Sequence, residues 1–399
     1  YIYDRNGVIL ADNQPVFTAV ISPDEIDNPD NTLALLTPIF QLTPEEISEA
    51  SKALKKSKNE PVTIKIGLTE QQVAQFSERK PFFKGVTIQS KLTRTYPYSD
   101  LFAHVIGYVG RISDNDSKKL DKKLYAGTDL IGKTGIEKYY ESLLLGKPGY
   151  QSIETNAYGD IIKKLDTKPP IPGNDIYLSL DYGLQKLTSD LLNGKRGAAV
   201  AIDPNTGEIL AFVSNPSFDP NPFITGISSR EYKALQQDPD MPLYNRALQG
   251  QYPPGSSIKP IEGLAGIHYG IMGWDSSIYD PGYFSLPGDS HKFRDWKKSG
   301  HGNVNLHKSV VESVDTYYYK LSYQLGIDRL HDWMTRFNFG SKTGIDLPGE
   351  KTGVYPSTEW KMKTYKKAWL PGETISVSIG QGYFLATPLQ IANGIAMLA

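Results

Sequence analysis

Gln251-Tyr252-Pro253-Pro254-Gly255-Ser256-Ser257-Ile258-Lys259-Pro260 is the stretch from which this 399-residue chain is best read. Two prolines and a glycine set a rigid turn. Ser256 follows, then Lys259 three residues on, then Ile261, Leu264, Ala265 and Ile267 at helical spacing. If Ser256 opens a helix, Lys259 lies one turn along the same face, ~5–6 Å away between Cβ atoms. A hydroxyl is a weak nucleophile until a base takes its proton. A lysine serves as that base once burial or the positive end of a helix dipole disfavours its charged form. The same helix start offers backbone N–H groups to a developing oxyanion. Ser-x-x-Lys alone also describes an N-cap serine followed by a surface lysine. The rest of the chain has to decide between the two.

Upstream, Lys168-Pro169-Pro170-Ile171-Pro172-Gly173-Asn174-Asp175 reads as a proline-rich linker, which divides the chain into 1–168, a linker at 169–175, and 176–399. The first part opens with a hairpin over 1–11 around Asn6-Gly7, and Pro15 to Ser22 reads as a further strand. Helices are expected from Asn31 to Gln41, from Thr43-Pro44-Glu45-Glu46 onward, and from Leu68 to Arg79. Strands are expected around Lys84-Gly85 within Phe82 to Tyr96. A helix should run from Gly132 to near Gly146, and two strands should flank Tyr158-Gly159 within Gln151 to Leu165. After the linker the pattern is strand (Ile176–Leu180), amphipathic helix (Tyr182–Asn193) and apolar, buried strand (Gly197–Ile202). A tight turn at 203–207 follows, then an antiparallel return from Glu208 to Ser214. This opening suits an α+β sheet sandwiched by helices. A long loop rich in Asn, Pro and Ser then leads to Ser256.

Charge is balanced, 43 basic residues against 44 acidic, so nothing points to a nucleic-acid partner. There are no cysteines, hence no disulfides and no cysteine-ligated metal. No apolar run approaches the ~20 residues that span a bilayer, and no signal peptide is visible. The chain opens on strand-like Tyr1-Ile2-Tyr3 and ends within a helix, Pro388 to Ala399. A piece of a longer chain is therefore expected.

Several motifs occur in an order that resembles the class B penicillin-binding proteins over essentially the whole chain. They are Tyr3-Asp4-Arg5-Asn6-Gly7, Arg94-Thr95-Tyr96-Pro97-Tyr98 with His104-Val105-Ile106-Gly107-Tyr108, and Gly135-Ile136-Glu137 with Tyr140-Glu141. They continue with Tyr252 to Pro260, then Gly380-Gln381-Gly382-Tyr383 with Thr387-Pro388-Leu389-Gln390. Asp280-Pro281-Gly282 and Arg294-Asp295-Trp296-Lys297-Lys298 resemble the elongation-type subgroup. The resemblance implies an elongated pedestal and head module at 1–168. It also implies a serine β-lactamase-like transpeptidase domain at 176–399, lacking its C-terminal part. The implied activity is cross-linking of peptidoglycan stem peptides ending in D-Ala-D-Ala through a serine acyl-enzyme, with β-lactams as inhibitors and no cofactor required. The implied partners, through the N-terminal module, are a SEDS-type glycan polymerase and an elongation scaffold protein. The implied location is the bacterial inner membrane, with the anchor outside this chain and the bulk periplasmic. Two other readings stay open: a serine β-lactamase, which needs a carboxylate-held water and has no use for the N-terminal module, and a non-catalytic penicillin-binding scaffold.

The resemblance makes Ser256 the nucleophile and Lys259 the general base. Its second element is Ser313-Val314-Asp315, 57 residues after Ser256, with Ser313 as proton relay and Asp315 as its orienting partner. Taken alone, Ser313 or Asp315 also reads as the N-cap of the tyrosine-rich helix that follows. The third element, Lys-Thr/Ser-Gly-Thr on a sheet-edge strand, has no counterpart: Lys-Thr-Gly at 133–135, 342–344 and 351–353 are read as decoys. The true motif is expected beyond Ala399, and the fragment as given is expected to be inactive. Some elongation-type members bind zinc through residues resembling Asp280, Asp295 and His301, with a cysteine as fourth ligand. That position here is Val314, so a polar loop is the competing reading. The remaining histidines, His104, His268, His291, His307 and His331, read as surface or structural.

Overall fold

The computed structural model describes residues 1–57, 61–125, 128–155 and 161–399. Ile9–Ile21 is the longest strand, and its C-terminal half supplies apolar Ala19, Val20 and Ile21 to the interior. Along Phe17 to Ile21 it pairs antiparallel with Val62–Leu68 on one side, and along Asp12 to Ile21 with Val86–Thr95 on the other. At its start it pairs with Ile2–Tyr3, which in turn runs parallel to Ile176–Tyr177. Helices Pro29–Phe40, Pro44–Lys56 and Glu70–Arg79 bury Leu33, Leu36, Phe40, Leu54 and Phe76 in one core with Ala19, Ile21 and Val86 of this sheet. Their starts are set locally. Thr43 and Thr69 each close a capping box with Glu46 and Gln72, as the T-x-x-E/Q spacing dictates.

Local readings differ from the structure where a longer pairing overrides them. Pro15–Ser22 is no separate strand but part of Ile9–Ile21, because the partner Val86–Thr95 pairs past it without a break. Phe82–Tyr96 holds one strand, not two: Lys80–Phe82 is a 3-10 turn, and Gly85 O accepts from Ser22 N at 2.8 Å. The helix expected from Gly132 is preceded by a strand, Leu130–Gly132, and breaks at Tyr140 into Gly135–Tyr139 and Glu141–Leu144. The Tyr158-Gly159 turn lies outside the described residues; Tyr150–Thr155 and Ile161–Lys168 pair antiparallel. The stretch read as a long loop before Ser256 carries three helices, Asn221–Thr225, Ser229–Gln237 and Arg246–Gln249.

The chain forms two compact units, Tyr1–Leu178 with Ser217–Leu243, and Ser179–Pro216 with Tyr244–Ala399. The first unit thus takes in Ile176–Tyr177 and the 217–243 excursion, which the sequence reading assigns to the second part. Within the first unit the motif residues build a buried strut. Arg94 Nε donates to Glu137 Oε1 at 2.6 Å, Tyr96 OH donates to the same oxygen at 3.1 Å, and Val109 N donates to Tyr96 OH at 2.9 Å.

In the second unit Gly197–Ile202 and Ile209–Asn215 form an antiparallel pair. Gln185 of the helix Tyr182–Leu192 bonds the outer side of this pair as a strand would: its side chain donates to Phe212 O at 2.9 Å and accepts from Phe212 N at 2.7 Å. Gly197–Ile202 is half-buried along its length, not buried as its apolar sequence suggests. Val200 and Ile202 line an apolar groove against Ile391 and Ile395 of the helix Pro388–Leu398. The core of this unit is helical, with Ile258, Ile261, Tyr317, Tyr318, Phe339 and Phe384 at its centre. Among the described residues no helix is long and apolar enough to cross a membrane.

Candidate active site

Ser256 does not open an α-helix. It sits in a 3-10 turn, Gly255–Ile258, where Lys259 N donates to Ser256 O, and the α-helix Lys259–His268 begins at the lysine. Pro260 at the second helical position tolerates this start, because the amide it lacks has no partner within a helix's first turn. The result keeps Ser256 exposed at the turn and Lys259 buried at 1% exposure directly behind it.

The buried ammonium points toward the second motif. Lys259 Nζ donates to Ser313 O at 2.8 Å, to Ser313 Oγ at 3.1 Å and to Asp315 Oδ1 at 2.6 Å. An ammonium has three donors, and these three acceptors use them. Among the described residues none of its hydrogen bonds goes to Ser256. The Tyr318 ring lies 5.3 Å from Nζ and adds a cation–π contact on the interior side. Burial pushes the Asp315 carboxyl above its ordinary range, against the opposing hydrogen bond and charge of Lys259.

Neither residue of the second motif acts as a helix cap. Val314 occupies the N-cap of Asp315–Leu325 without a side-chain cap bond, and Asp315 is the first helical residue. Ser313 has φ +51, a left-handed conformation rare for a non-glycine residue. Such backbones cost about 1–3 kcal/mol and cluster at functional sites. Here the strain turns both the carbonyl and the hydroxyl of Ser313 to the same ammonium.

Asp280, Asp295 and His301 do come together, all buried, with one ligand atom from each within 4.8 Å of the others. His301 Nδ1 lies 2.7 Å from Asp280 Oδ2 and 3.6 Å from Asp295 Oδ1. Burial would raise the Asp280 carboxyl, but hydrogen bonds led by His301 outweigh it and hold the group below its ordinary value. Asp295 Oδ2 accepts from Thr316 N at 2.9 Å, which ties the cluster to the helix carrying Asp315. A structural zinc takes four protein ligands. The residue that the resemblance would make the fourth is Val314, fully buried and without a donor atom. His301 Nε2 has no hydrogen-bond partner, and Glu312 Oε2 lies 4.0 Å from it on a partly exposed side chain. Asp280 is bonded to His301 and Asp295 to Thr316, and with Val314 in the fourth place these residues do not complete the donor set of a structural zinc.

Within the unit that holds the site, neither Lys342-Thr343-Gly344 nor Lys351-Thr352-Gly353 lies in a strand. Lys133 pairs with Asp116 at 2.5 Å in the first unit, and Thr343 N and Oγ1 both donate to Glu350 Oε1 at 2.7 Å. Lys351 N donates to Leu248 O at 3.2 Å.

One residue of the site escapes the motif reading. Glu262 lies one turn beyond Lys259, is 1% exposed, and accepts a hydrogen bond from Tyr355 OH at 3.0 Å, with no cation among the described residues in ion-pair contact. Its i,i+3 spacing from Lys259 was visible in the sequence; its burial was not. Burial pushes the Glu262 carboxyl well above its ordinary value, and the Tyr355 bond and Lys259 charge only partly oppose this. The folded value is therefore above the unfolded one. The stabilising proton is fully present below the unfolded value of ~4.3 and is lost as pH rises toward the folded one, at about 1.4 kcal/mol per pH unit. Glu262→Gln keeps an acceptor for Tyr355 and removes that dependence. Thermal melts should show the two proteins matched near pH 4 and the Gln variant increasingly the more stable as pH rises above it. A constant gap across that range would show that Glu262 folds as a carboxylate.

Residues 1–178 match the family model described as penicillin-binding protein dimerisation domain, and residues 197–399 match penicillin binding protein transpeptidase domain. A relative named peptidoglycan D,D-transpeptidase MrdA, from Acinetobacter baumannii, is 59% identical over 400 residues, covering 100% of this chain and 60% of its own length. The structure described as the complex between PBP2 and MreC from Helicobacter pylori matches with TM-score 0.88 at 35% identity, over 98% of this chain and 73% of that one. Pseudomonas aeruginosa PBP2 in complex with WCK 5153 matches with TM-score 0.76 at 41% identity, over 100% of this chain and 68% of that one. The chain thus spans about 60% of the length of the curated relative it matches.

Proposed function

Because the chain belongs to the class B penicillin-binding proteins, with dimerisation and transpeptidase domains, we propose that the protein containing it is a peptidoglycan D,D-transpeptidase of lateral wall elongation. The observation that carries this reading is the Lys259 ammonium, one 3-10 turn behind an exposed Ser256 and bonded to both Ser313 and Asp315. Ser256 Oγ attacks the carbonyl of the penultimate D-Ala of a stem peptide, and its proton passes to Lys259 in the neutral form. Ser313 Oγ, in hydrogen-bond contact with Nζ, relays that proton to the departing D-Ala amine. An amine of a second stem peptide then takes the acyl group from Ser256. Asp315 holds Nζ in place while the charge moves. β-Lactams enter the first half of this sequence. The reaction needs no cofactor, and no step runs through the Asp280–His301–Asp295 cluster, whose part is to anchor Thr316 beside Asp315.

By likeness to the Helicobacter pylori protein described with MreC, the partner of residues 1–168 is an elongation scaffold protein. The family resemblance adds a SEDS-type glycan polymerase. The location that suits both is the inner membrane with the bulk of the protein periplasmic.

The test uses the whole protein that contains this chain. A fluorescent penicillin should label Ser256 alone, and Ser256→Ala should lose the label. After removal of free drug, intact mass should show an adduct lasting many minutes. Deacylation within seconds corresponds to a barrier near ~17–18 kcal/mol and needs an activated water; with hydrolysed drug, it would make the protein a β-lactamase. No adduct at all would favour a non-catalytic scaffold. A persistent adduct with cross-linking of glycan strands alongside a polymerase supports the transpeptidase.

A further inference from the structure

Among the described residues no hydrogen bond joins the Gly380-Gln381-Gly382 motif to Lys259 or the second motif, yet its backbone touches the peptide that carries the nucleophile. Gly255 N donates to Gly380 O at 3.0 Å. A Cβ built on Gly380 would lie 2.2 Å from Gly255 O, 2.5 Å from Gly255 N and 2.7 Å from Gly255 C. Gly380 also has φ +70. A few residues away the same two segments meet again, with Tyr252 N donating to Ala386 O and Ala386 N to Tyr252 O, both at 2.9 Å. The motif is itself anchored from behind. Gly380 N donates to Val377 O at 2.9 Å and Gln381 N to Ser376 O at 3.1 Å, and Ile375 and Val377 are fully buried.

We infer that Gly380 is a positioning residue for acyl transfer, bracing the Gly255–Ser256 peptide so that the Ser256 N–H and Oγ are held where the reaction needs them. The inference rests on Ser256 being the nucleophile. The physical step is the planarity of the peptide. Gly255 C=O and Ser256 N–H belong to one rigid trans unit and point opposite ways, so a wall against the first fixes the direction of the second. An oxyanion is stabilised only by donors already aimed at it. A side chain at 380 has no room unless Gly255 moves by about an ångström, and a displacement of that size at a reacting centre costs about 10²-fold in rate.

The experiment separates that displacement from simple backbone strain. Gly382 lies in the same loop with φ +65, but a Cβ there meets nothing nearer than Ser376 Cβ at 3.3 Å, with Val377 Cγ2 and N at ordinary contact distances of 3.8 and 3.9 Å. Gly382→Ala therefore carries the strain without the collision. In the whole protein, stopped-flow acylation by a fluorescent penicillin gives the acylation rate and the preceding binding constant separately. Gly380→Ala should lower the rate constant about 100-fold and shift the binding constant less than about three-fold, while Gly382→Ala stays within about five-fold of wild type on both. Near-wild-type acylation in Gly380→Ala, or an equal loss in Gly382→Ala, overturns the inference. If Gly380→Ala does not fold, hydrogen exchange in the wild type decides. A Gly255 amide protected about 100-fold or more supports the brace, and one exchanging as a free amide overturns it. A wild-type protein not labelled at Ser256 would instead remove the reading of the nucleophile, and the inference with it.

Discussion

Lys259→Arg should leave the whole protein folded and nearly unable to acylate, with the rate of penicillin labelling at Ser256 down by about 10³-fold or more. Arginine keeps the positive charge beside Asp315, which Lys259 contacts at 2.6 Å. It does not keep the chemistry. A guanidinium with a pKa above ~12 cannot accept the serine proton near neutrality. The planar fork is also larger than an ammonium in a site that is 1% exposed. Lys259→Met therefore belongs beside it, since it fits the space and loses the base, and it should be as inactive. Time-resolved labelling with the melting temperature of each variant is the measurement. Labelling of Lys259→Arg within ten-fold of wild type would mean that Lys259 acts only through its charge.

Glu137→Ala should lower stability by about 3–5 kcal/mol, because it strands a buried guanidinium. Arg94 and Glu137 are 8% and 3% exposed at their side chains and meet at 2.6 Å. Tyr96 OH and, through it, Val109 N lean on the same carboxylate. For a unit of about 200 residues such a loss moves the melting transition down by roughly 6–20 °C. Replacing both partners by methionine should recover much of the loss, because no charge is then left unpaired in the interior. Calorimetry of the single and double variants checks this. A Glu137→Ala transition unchanged within about 2 °C would show that water reaches Arg94 and that the strut carries little.

These two sites differ in how much of them a linear reading can see. Ser256 and Lys259 are three residues apart, and a single turn of either helix type places them together, so their pairing was legible even though the turn is 3-10 and not α. The Thr43 and Thr69 capping boxes were legible for the same reason, since cap and partner sit three residues apart. Ser313 and Asp315 were legible only as a motif. The sequence also allowed them to be helix caps, and only the structure excludes that, with Val314 at the N-cap and Asp315 already helical. The Asp280, Asp295 and His301 set was named from resemblance, but spacings of 15 and 6 residues say nothing about which atoms meet or whether a fourth donor exists.

The sequence by itself determined the α+β class, the helix starts capped by Thr43 and Thr69, the Ser-x-x-Lys spacing of the first motif, and the absence of cysteine at position 314. Each of these depends on residue type or on neighbours within a turn, where backbone geometry leaves few alternatives. Only the tertiary structure decided that Lys259 reaches across 54 and 56 residues to Ser313 and Asp315, that Arg94 reaches across 43 to Glu137, and that Glu262 is buried against Tyr355. It also decided that Gly380 touches Gly255 across 125 residues of chain. The physical reason is common to all of them. Such contacts are set by how helices and strands pack, and packing is a property of the assembled core that no local spacing encodes.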